Sequence, residues 1–195
     1  MGKIFCLMGK SASGKDTVYK NLLSDKDLSL KKIIPYTTRP MREKEENGVQ
    51  YYFTDNAGLE KLQNEGKVIE CRSYDTIYGV WNYFTVADSQ IDLDNNDYLV
   101  IGTPEAFRKL KNYFGNEMIL PIYIELDDGI RLTRALEREK KQTTPKYEEM
   151  CRRFLADAAD FSEDKLKEAG VDFRFSNDDL KECVESIKSF IRNRL

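Results

Sequence analysis

The chain alternates between short, mostly apolar runs and longer segments in which apolar residues recur every three or four positions. The runs, which are typical of strands buried in a sheet, lie at 4–8, 31–34, 98–101, 118–124 and 171–175. Segments with a helical period follow most of them, beginning near 15, at 104, at 127 or 128, at 147 and after 177. This alternation predicts an α/β fold with a parallel sheet and helices on both faces.

The stretch from 36 to 85 has a different pattern. A charged loop leads into an aromatic strand near 51–53, and a short helix is predicted from Asn56 to a breaker at Gly66. Two strands are then predicted at 68–72 and 74–80, after which 81–86 leads back toward the main sheet. We therefore expect a small α+β insertion at 36–85 within a core formed by 1–35 and 86–195.

A glycine-containing loop joins the first strand to the first helix. We call it the phosphate loop, and its residues are Gly9, Lys10, Ser11, Ala12, Ser13, Gly14, Lys15, Asp16 and Thr17. A strand, a glycine loop and a helix N-terminus in this order present several backbone N–H groups to one point, where Lys15 adds a positive charge. This order matches the P-loop pattern and predicts a P-loop NTPase type of sheet that binds a nucleotide phosphate.

The position after Lys15 departs from that pattern. Asp16 stands where a Ser or Thr hydroxyl normally meets Mg²⁺, and a hydroxyl follows at Thr17. Asp16 could bind the metal through water, or it could favour the first helical turn through the macrodipole. Both interpretations stay open, so the metal ligands are not assigned.

The composition and net charge exclude further classes of function and of catalytic site. The 195 residues contain 31 Lys and Arg against 34 Asp and Glu, a net charge of -3, so no global basic field attracts nucleic acid or an anionic membrane. We expect one main domain in the cytoplasm, because no apolar run is long enough for a bilayer and the N-terminus enters the first strand at once. The absence of histidine excludes histidine bases and imidazole metal ligands. The four scattered cysteines are expected to be reduced and buried or half-buried.

The charged loop of the insertion carries a second motif. It reads Thr37-Thr38-Arg39-Pro40-x-Arg42-x-x-Glu45-x-x-Gly48-x-x-Tyr51. Planar guanidinium groups bind a terminal phosphate in a directed way, so Arg39 and Arg42 with the Tyr51 hydroxyl are candidates for a phosphate clamp. Together with the phosphate loop, the motif resembles the nucleotide-monophosphate site of guanylate kinases, and the resemblance extends to 177–180.

That resemblance implies phosphoryl transfer from Mg·ATP to GMP, giving ADP and GDP. The phosphate loop would hold ATP with Mg²⁺ as cofactor, and Arg39, Arg42 and Tyr51 would hold the GMP phosphate. Glu45 either orients one of these arginines or is a surface charge. The resemblance also places Tyr78 and Gly79 at the GMP site, although Val80 replaces the usual small hydroxyl residue.

Glu70 is the candidate for reading the base. Guanine presents two adjacent donors, N1–H and the 2-amino group, that suit a carboxylate, whereas adenine cannot offer this pair. The alternative is an exposed strand glutamate. The resemblance favours base reading.

The resemblance also implies a lid at about 138–146. Its arginines, Arg134 and Arg138, with Arg153 on the next helix, would act with Lys15 and Arg39 as catalytic residues. The alternative for Arg134 and Arg138 is that they are solvated charges paired with neighbouring glutamates. Asn177 would either contact the adenine of ATP or cap the last helix.

One strand end differs from the family. Guanylate kinases carry acidic residues where this chain has Ile101 and Thr103, and Thr103 before Pro104 is also a suitable helix cap. A kinase for another nucleoside monophosphate and a non-catalytic interaction module of the same fold therefore remain alternatives. The intact phosphate loop and the arginines of the lid favour an enzyme.

Overall fold

The computed structural model describes residues 1–43, 45–76 and 79–195. Its strands and helices, in chain order, are β1 (Ile4–Gly9), α1 (Lys15–Ser24), β2 (Lys31–Lys32), β3 (Tyr36–Thr37), β4 (Tyr52–Phe53), α2 (Asn56–Asn64), β5 (Val68–Thr76), β6 (Gly79–Val86), β7 (Tyr98–Ile101), α3 (Pro104–Phe114), β8 (Ile119–Glu125), α4 (Asp128–Lys140), α5 (Tyr147–Asp160), α6 (Glu163–Ala169), β9 (Arg174–Ser176) and α7 (Leu180–Arg192).

The main sheet has the order β2-β7-β1-β8-β9, and all its pairs are parallel. Every residue of β1 is buried, because helices cover both faces of this central strand. Ile4 and Cys6 pack in a core with α3 and α6, whereas Phe5 and Leu7 pack in another with α1 and α7. The predicted parallel sheet with helices on both faces is confirmed.

A second, mixed sheet has the order β4-β3-β6-β5, and its strands lie between Tyr36 and Val86. Phe84 and Val86 pack with Leu59 of α2 to form its small core. The small α+β element is confirmed, and the boundaries at 36 and 85 stay a prediction. The predicted strand pair was wrong: β5 is continuous from 68 to 76, and 81–86 belongs to its antiparallel partner β6 rather than to a return segment.

Three further details differ from the sequence-based prediction. Strand β2 has only two residues, and β9 begins at Arg174 rather than at 171. Helix α7 is capped by Asp179, whose side chain accepts from the Glu182 N–H, so Asn177 is not the cap. The Thr103 cap was predicted correctly, since its side chain accepts from the Ala106 N–H. Helix α4 begins at Asp128, within the predicted range, and the Asp127 side chain caps it by accepting from Gly129 N–H and Ile130 N–H.

The cysteines are all unpaired, as expected. Cys6 and Cys183 are buried and Cys71 is half-buried, but Cys151 on α5 is exposed, which corrects the prediction for that residue. Burial raises the pKa of the Cys6 thiol to about 12. In the described residues, no helix combines the length and the apolar character that crossing a membrane requires.

Candidate active site

The phosphate loop has the geometry that its glycines suggested. Gly14 precedes α1 in the left-handed conformation at φ 86°, where glycine has no steric cost. At Gly9, a Cβ atom would lie 2.7 Å from Ser13 Oγ and 3.2 Å from the Ile124 carbonyl oxygen, so no side chain fits without rearrangement. The loop is therefore a close turn around its own backbone, directed at the N-terminus of α1.

Asn177 contacts the phosphate loop from the segment between β9 and α7. Its Nδ2 donates to the Ser13 carbonyl oxygen at 2.6 Å, and its own N–H donates to the Glu125 carbonyl oxygen at 2.9 Å. The residue is buried, and its Oδ1 has no hydrogen-bond partner within the described ranges. The structure thus gives Asn177 a role in shaping the loop, and its contact with adenine stays a prediction.

Lys15 and Asp16 form an ion pair at the start of α1, with 2.9 Å between Nζ and Oδ1. Burial opposes ionisation of Asp16, but Lys15 and then Arg138 hold its pKa below the ordinary value. The carboxylate is thus charged and largely exposed beside the loop, which suits an outer ligand of a hydrated Mg²⁺ ion. Residues 1–43, 45–76 and 79–195 contain no cluster of three metal-binding side chains, so the protein alone does not form a metal cage.

The arginines predicted for the lid converge on the phosphate loop, and we call Arg134, Arg138 and Arg153 the lid arginines. Arg134 Nη1 is 4.0 Å from the position of a Cβ atom at Gly14. Arg138 is near enough to Asp16 to lower its pKa, and Arg153 Nη2 donates to Ser11 Oγ at 3.2 Å. All three are exposed.

The predicted pairing of Arg134 and Arg138 with Glu137 or Glu139 is absent from the described part of the chain. Both guanidinium groups are thus available for an anion at the loop.

Arg131 and Asp157 belong to this site, although sequence reasoning did not select them. The Arg131 side chain is 1% exposed; its Nε donates to the Ser11 carbonyl oxygen at 3.0 Å, and its guanidinium pairs with Asp128 and Asp157. Asp157 Oδ2 also accepts from the Ser11 N–H at 2.7 Å. These contacts fasten α4 and α5 to the phosphate loop.

A sequence signal for Arg131 existed. Arg131 and the buried Ala135 are four residues apart and share a helix face, whereas the apolar Ile130 and Leu132 are about 40% exposed. Asp157 gave no comparable signal.

In the second motif, Arg39 of the candidate clamp is buried beside Glu45 and Tyr51. Arg39 is 3% exposed; its Nη2 donates to Glu45 Oε1 at 2.7 Å and its Nη1 to the Pro40 carbonyl oxygen at 2.7 Å. Its guanidinium carbon lies 5.4 Å from the centre of the Tyr51 ring. Glu45 therefore orients an arginine, and the Arg39 hydrogen bond holds the pKa of Glu45 below its ordinary value. Arg42 is exposed, and its N–H donates to Glu45 Oε2 at 2.8 Å.

Glu70 is not the exposed glutamate of the alternative interpretation. It is 3% exposed, and both its carboxylate oxygens accept hydrogen bonds: Oε2 from Arg72 Nε at 3.0 Å, and Oε1 from Thr85 Oγ1 at 2.8 Å and Arg72 Nη2 at 3.4 Å. A bulge between Val68 and Glu70 shifts the register, which places Glu70 opposite Thr85 and Arg72 opposite Tyr83. Sequence reasoning missed Arg72.

A cavity of about 490 Å³ lies between β5, the start of α3 and α6, and we call it the β5 cavity. Arg72, Tyr74, Thr103, Glu105 and Asp160 are among its lining residues. It is connected to the clamp by aromatic rings that contact one another edge to face. The Tyr74 ring contacts that of Tyr83 at 5.7 Å and the Tyr83 ring contacts that of Tyr51 at 5.6 Å, between ring centres.

The remaining predicted positions are less informative. Tyr78 lies outside the described residues. Gly79 begins β6 at φ 100° and is exposed, as is Val80. Thr103 caps α3 and lines the β5 cavity, and Ile101 is 36% exposed at the end of β7. No described contact tests whether these residues bind a nucleotide.

Comparison with known proteins identifies relatives of this arrangement. The family model described as guanylate kinase matches residues 1–194. A guanylate kinase from Porphyromonas gingivalis is 30% identical over 194 residues, covering 98% of this chain and 97% of the relative. One from Mycoplasmoides gallisepticum is 28% identical over 197 residues, covering 97% and 92%. A crystal structure of guanylate kinase from Anaplasma phagocytophilum matches with a TM-score of 0.65 at 23% identity, covering 98% of this chain and 85% of that one, which supports the fold.

Proposed function

The chain belongs to the guanylate kinase family, and we propose that it transfers the γ-phosphoryl group of ATP to GMP, giving ADP and GDP. The observation that carries the proposal is the convergence of the lid arginines on the phosphate loop. Three exposed cations around a loop of backbone donors suit a transferring phosphoryl group, which carries several negative charges. A site that only holds a partner protein does not need this arrangement.

ATP is the donor in this proposal. Backbone N–H groups of the phosphate loop and the Lys15 ammonium hold the β- and γ-phosphates at the N-terminus of α1. Lys15 exchanges its ion pair with Asp16 for a phosphate, since both partners lie at the same end of the helix. Asn177 holds the loop at Ser13 and contacts the adenine from there.

GMP is the acceptor. Its phosphate is bound by Arg39, Arg42 and Tyr51, with Glu45 fixing the Arg39 guanidinium in one orientation. Its base lies toward β5, where Glu70 takes part in selecting it. Tyr78 and Gly79 also take part in binding GMP in this proposal.

Transfer needs little covalent work from side chains, because positioning and charge neutralisation account for most catalysis of phosphoryl transfer. Lys15, Arg39 and the lid arginines supply the positive charge. Mg²⁺ would be held by the phosphates and water with Asp16 or Thr17 as outer ligands, and it would add further charge neutralisation when bound. Closure of the lid at about 138–146 over the acceptor would exclude water and so prevent hydrolysis of ATP.

We also propose that the protein works in the cytoplasm. The support is its four unpaired cysteines, one of them exposed, which persist as thiols in a reducing compartment. ATP and GMP are the partners of the proposed site, and the net charge of -3 does not favour nucleic acid or an anionic membrane.

Release of ADP from Mg·ATP tests the proposal, with GMP, AMP, CMP or UMP offered one at a time. We expect turnover with GMP. Turnover only with another nucleotide would favour the rival kinase, and no turnover in folded protein would favour the interaction module. Lys26→Ala, on the exposed loop after α1, is the control for Lys15→Ala and should retain full activity.

A further inference from the structure

Arg72 occupies the place where a base-reading group is expected. It lies two residues after Glu70 on the same face of β5, so both side chains point from one surface of the strand. The Arg72 side chain is 16% exposed and lines the β5 cavity, whereas the Glu70 side chain is 1% exposed. The charged group that meets the cavity is therefore the guanidinium.

The hydrogen bonds show how the guanidinium is held. The Glu70 carboxylate accepts hydrogen bonds from Nε and Nη2 of Arg72. Thr85 Oγ1, on the neighbouring strand, donates to the same carboxylate. Within the described segments, Arg72 Nη1 donates no hydrogen bond, which leaves a charged donor at the cavity. Burial alone would lower the pKa of Arg72, but Glu70 raises it above the ordinary value, so the group stays charged.

The carboxylates that line the cavity are paired with other cations: Glu105 with Lys109 at 2.8 Å, Asp160 with Lys165 at 3.5 Å, and Glu168 with Arg108 at 3.1 Å. The end of β7 carries Ile101 and Thr103, which have no charge. An acceptor base beside Arg72 thus meets a guanidinium edge that can only donate hydrogen bonds.

Base chemistry then favours one class of acceptor. Guanine carries two acceptors on one edge, O6 and N7, and a guanidinium bonds this pair well, whereas adenine places an amino donor at position 6. Cytosine likewise presents an amino donor. The 2-amino group of guanine is a donor, so it cannot form a hydrogen bond with an arginine, which has no acceptor.

We propose that Arg72 contacts the acceptor base and selects a 6-oxopurine, while Glu70 acts as a positioning residue that holds the Arg72 guanidinium. The proposal rests on the proposed function of the site. It differs from direct reading of N1–H and the 2-amino group by Glu70, because it makes the 6-oxo group decisive and the 2-amino group unimportant. Inosine monophosphate is then a good acceptor.

Two analogues of GMP separate these modes of recognition in the unmodified protein. Inosine monophosphate keeps O6 and lacks the 2-amino group, whereas 6-thioguanosine monophosphate keeps both donors and replaces O6 with a weakly accepting sulfur. If Arg72 reads the base, inosine monophosphate keeps the higher kcat/KM, by about tenfold or more given a charged hydrogen bond. The reverse order overturns the proposal. If GMP itself is not turned over, the proposed function fails instead.

A variant pair then assigns the effect to Arg72. Arg72→Lys keeps a charge for the buried Glu70, so the fold is retained, but it lacks the planar fork. It should raise KM for GMP about tenfold or more and leave KM for ATP unchanged, with the ratio of GMP to 6-thioguanosine monophosphate falling toward one. Arg192→Lys, at an exposed position of α7, is the matched control. An unchanged ratio in Arg72→Lys overturns the assignment.

Glu70→Gln tests the positioning role. It can still accept from Thr85 but loses the charge that orients Arg72, so KM for GMP should rise far more than KM for ATP. Equal effects on both substrates would show that Glu70 does not act at the base.

Discussion

Removing the Asp157 carboxylate should detach α5 from the phosphate loop. Its Oδ2 accepts from the Ser11 N–H at 2.7 Å and pairs with Arg131 Nη2 at 3.2 Å. Asp157→Ala therefore removes both the hydrogen bond and the ion pair that this oxygen makes. The α5 helix has no fully buried residue, and this carboxylate is therefore a large part of what fixes it. Arg153, one helical turn earlier, should lose its place beside Ser11.

The loss in the free energy of unfolding can be worked out from how deeply this ion pair is buried. Breaking a buried ion pair by removing one partner costs about 3–5 kcal/mol. The value here should be smaller, about 2–3 kcal/mol, because Asp157 is 17% exposed and Arg131 keeps its contacts with Asp128 and the Ser11 carbonyl oxygen. For a chain of this length that lowers Tm by roughly 5–10 °C. Displacement of Arg153 should also lower kcat by about tenfold or more.

Thermal unfolding and steady-state kinetics of the same preparation would measure both effects. Glu149→Ala is the control, since it removes a carboxylate of the same helix that is 49% exposed and, among the described residues, pairs with Arg152 alone. Glu149→Ala should lower the free energy of unfolding by less than about 1 kcal/mol. If Asp157→Ala were no more destabilising than Glu149→Ala and kept full kcat, the assignment of Asp157 as the anchor of α5 would be wrong.

Three further outcomes are expected. Lys15→Ala should remove most turnover without unfolding the protein, and an unchanged kcat would refute its role in the phosphate loop. Because Arg39 lowers the folded-state pKa of Glu45, the stabilisation from this pair is complete above about pH 4.3 and is lost as the pH falls through the lowered pKa. Unfolding by urea at several pH values should show this loss in the native protein and less of it in Glu45→Gln. In native protein an aromatic disulfide reagent should modify exposed Cys151 quickly and spare Cys6, whose pKa is raised to about 12, and mass spectrometry of the peptides would identify the labelled thiol.

Much of the nucleotide site was predictable because its motifs are local. The phosphate loop depends on a strand, glycines and a helix start within a few neighbouring residues, so their sequence order predicts their geometry. The pairing of Arg39 with Glu45 also lies within one loop, and one of two proposed roles for Glu45 was correct. Of the two roles proposed for Asn177, the helix cap was wrong, since Asp179 caps α7, and the contact with adenine stays a prediction.

The sequence by itself determined the parallel sheet, its covering helices, the phosphate loop and the arginine clamp, because apolar periodicity and local backbone geometry specify these features. Only the tertiary structure decided which charges share a buried space. Arg131 of α4 pairs with Asp157 of α5. The cavity beside Arg72 is formed by α3 and α6, which are far from β5 along the chain. Whether a carboxylate such as Glu70 contacts a base directly or holds a neighbouring arginine depends on such distant neighbours. The reason is that burial and pairing determine whether the group is charged and what it binds.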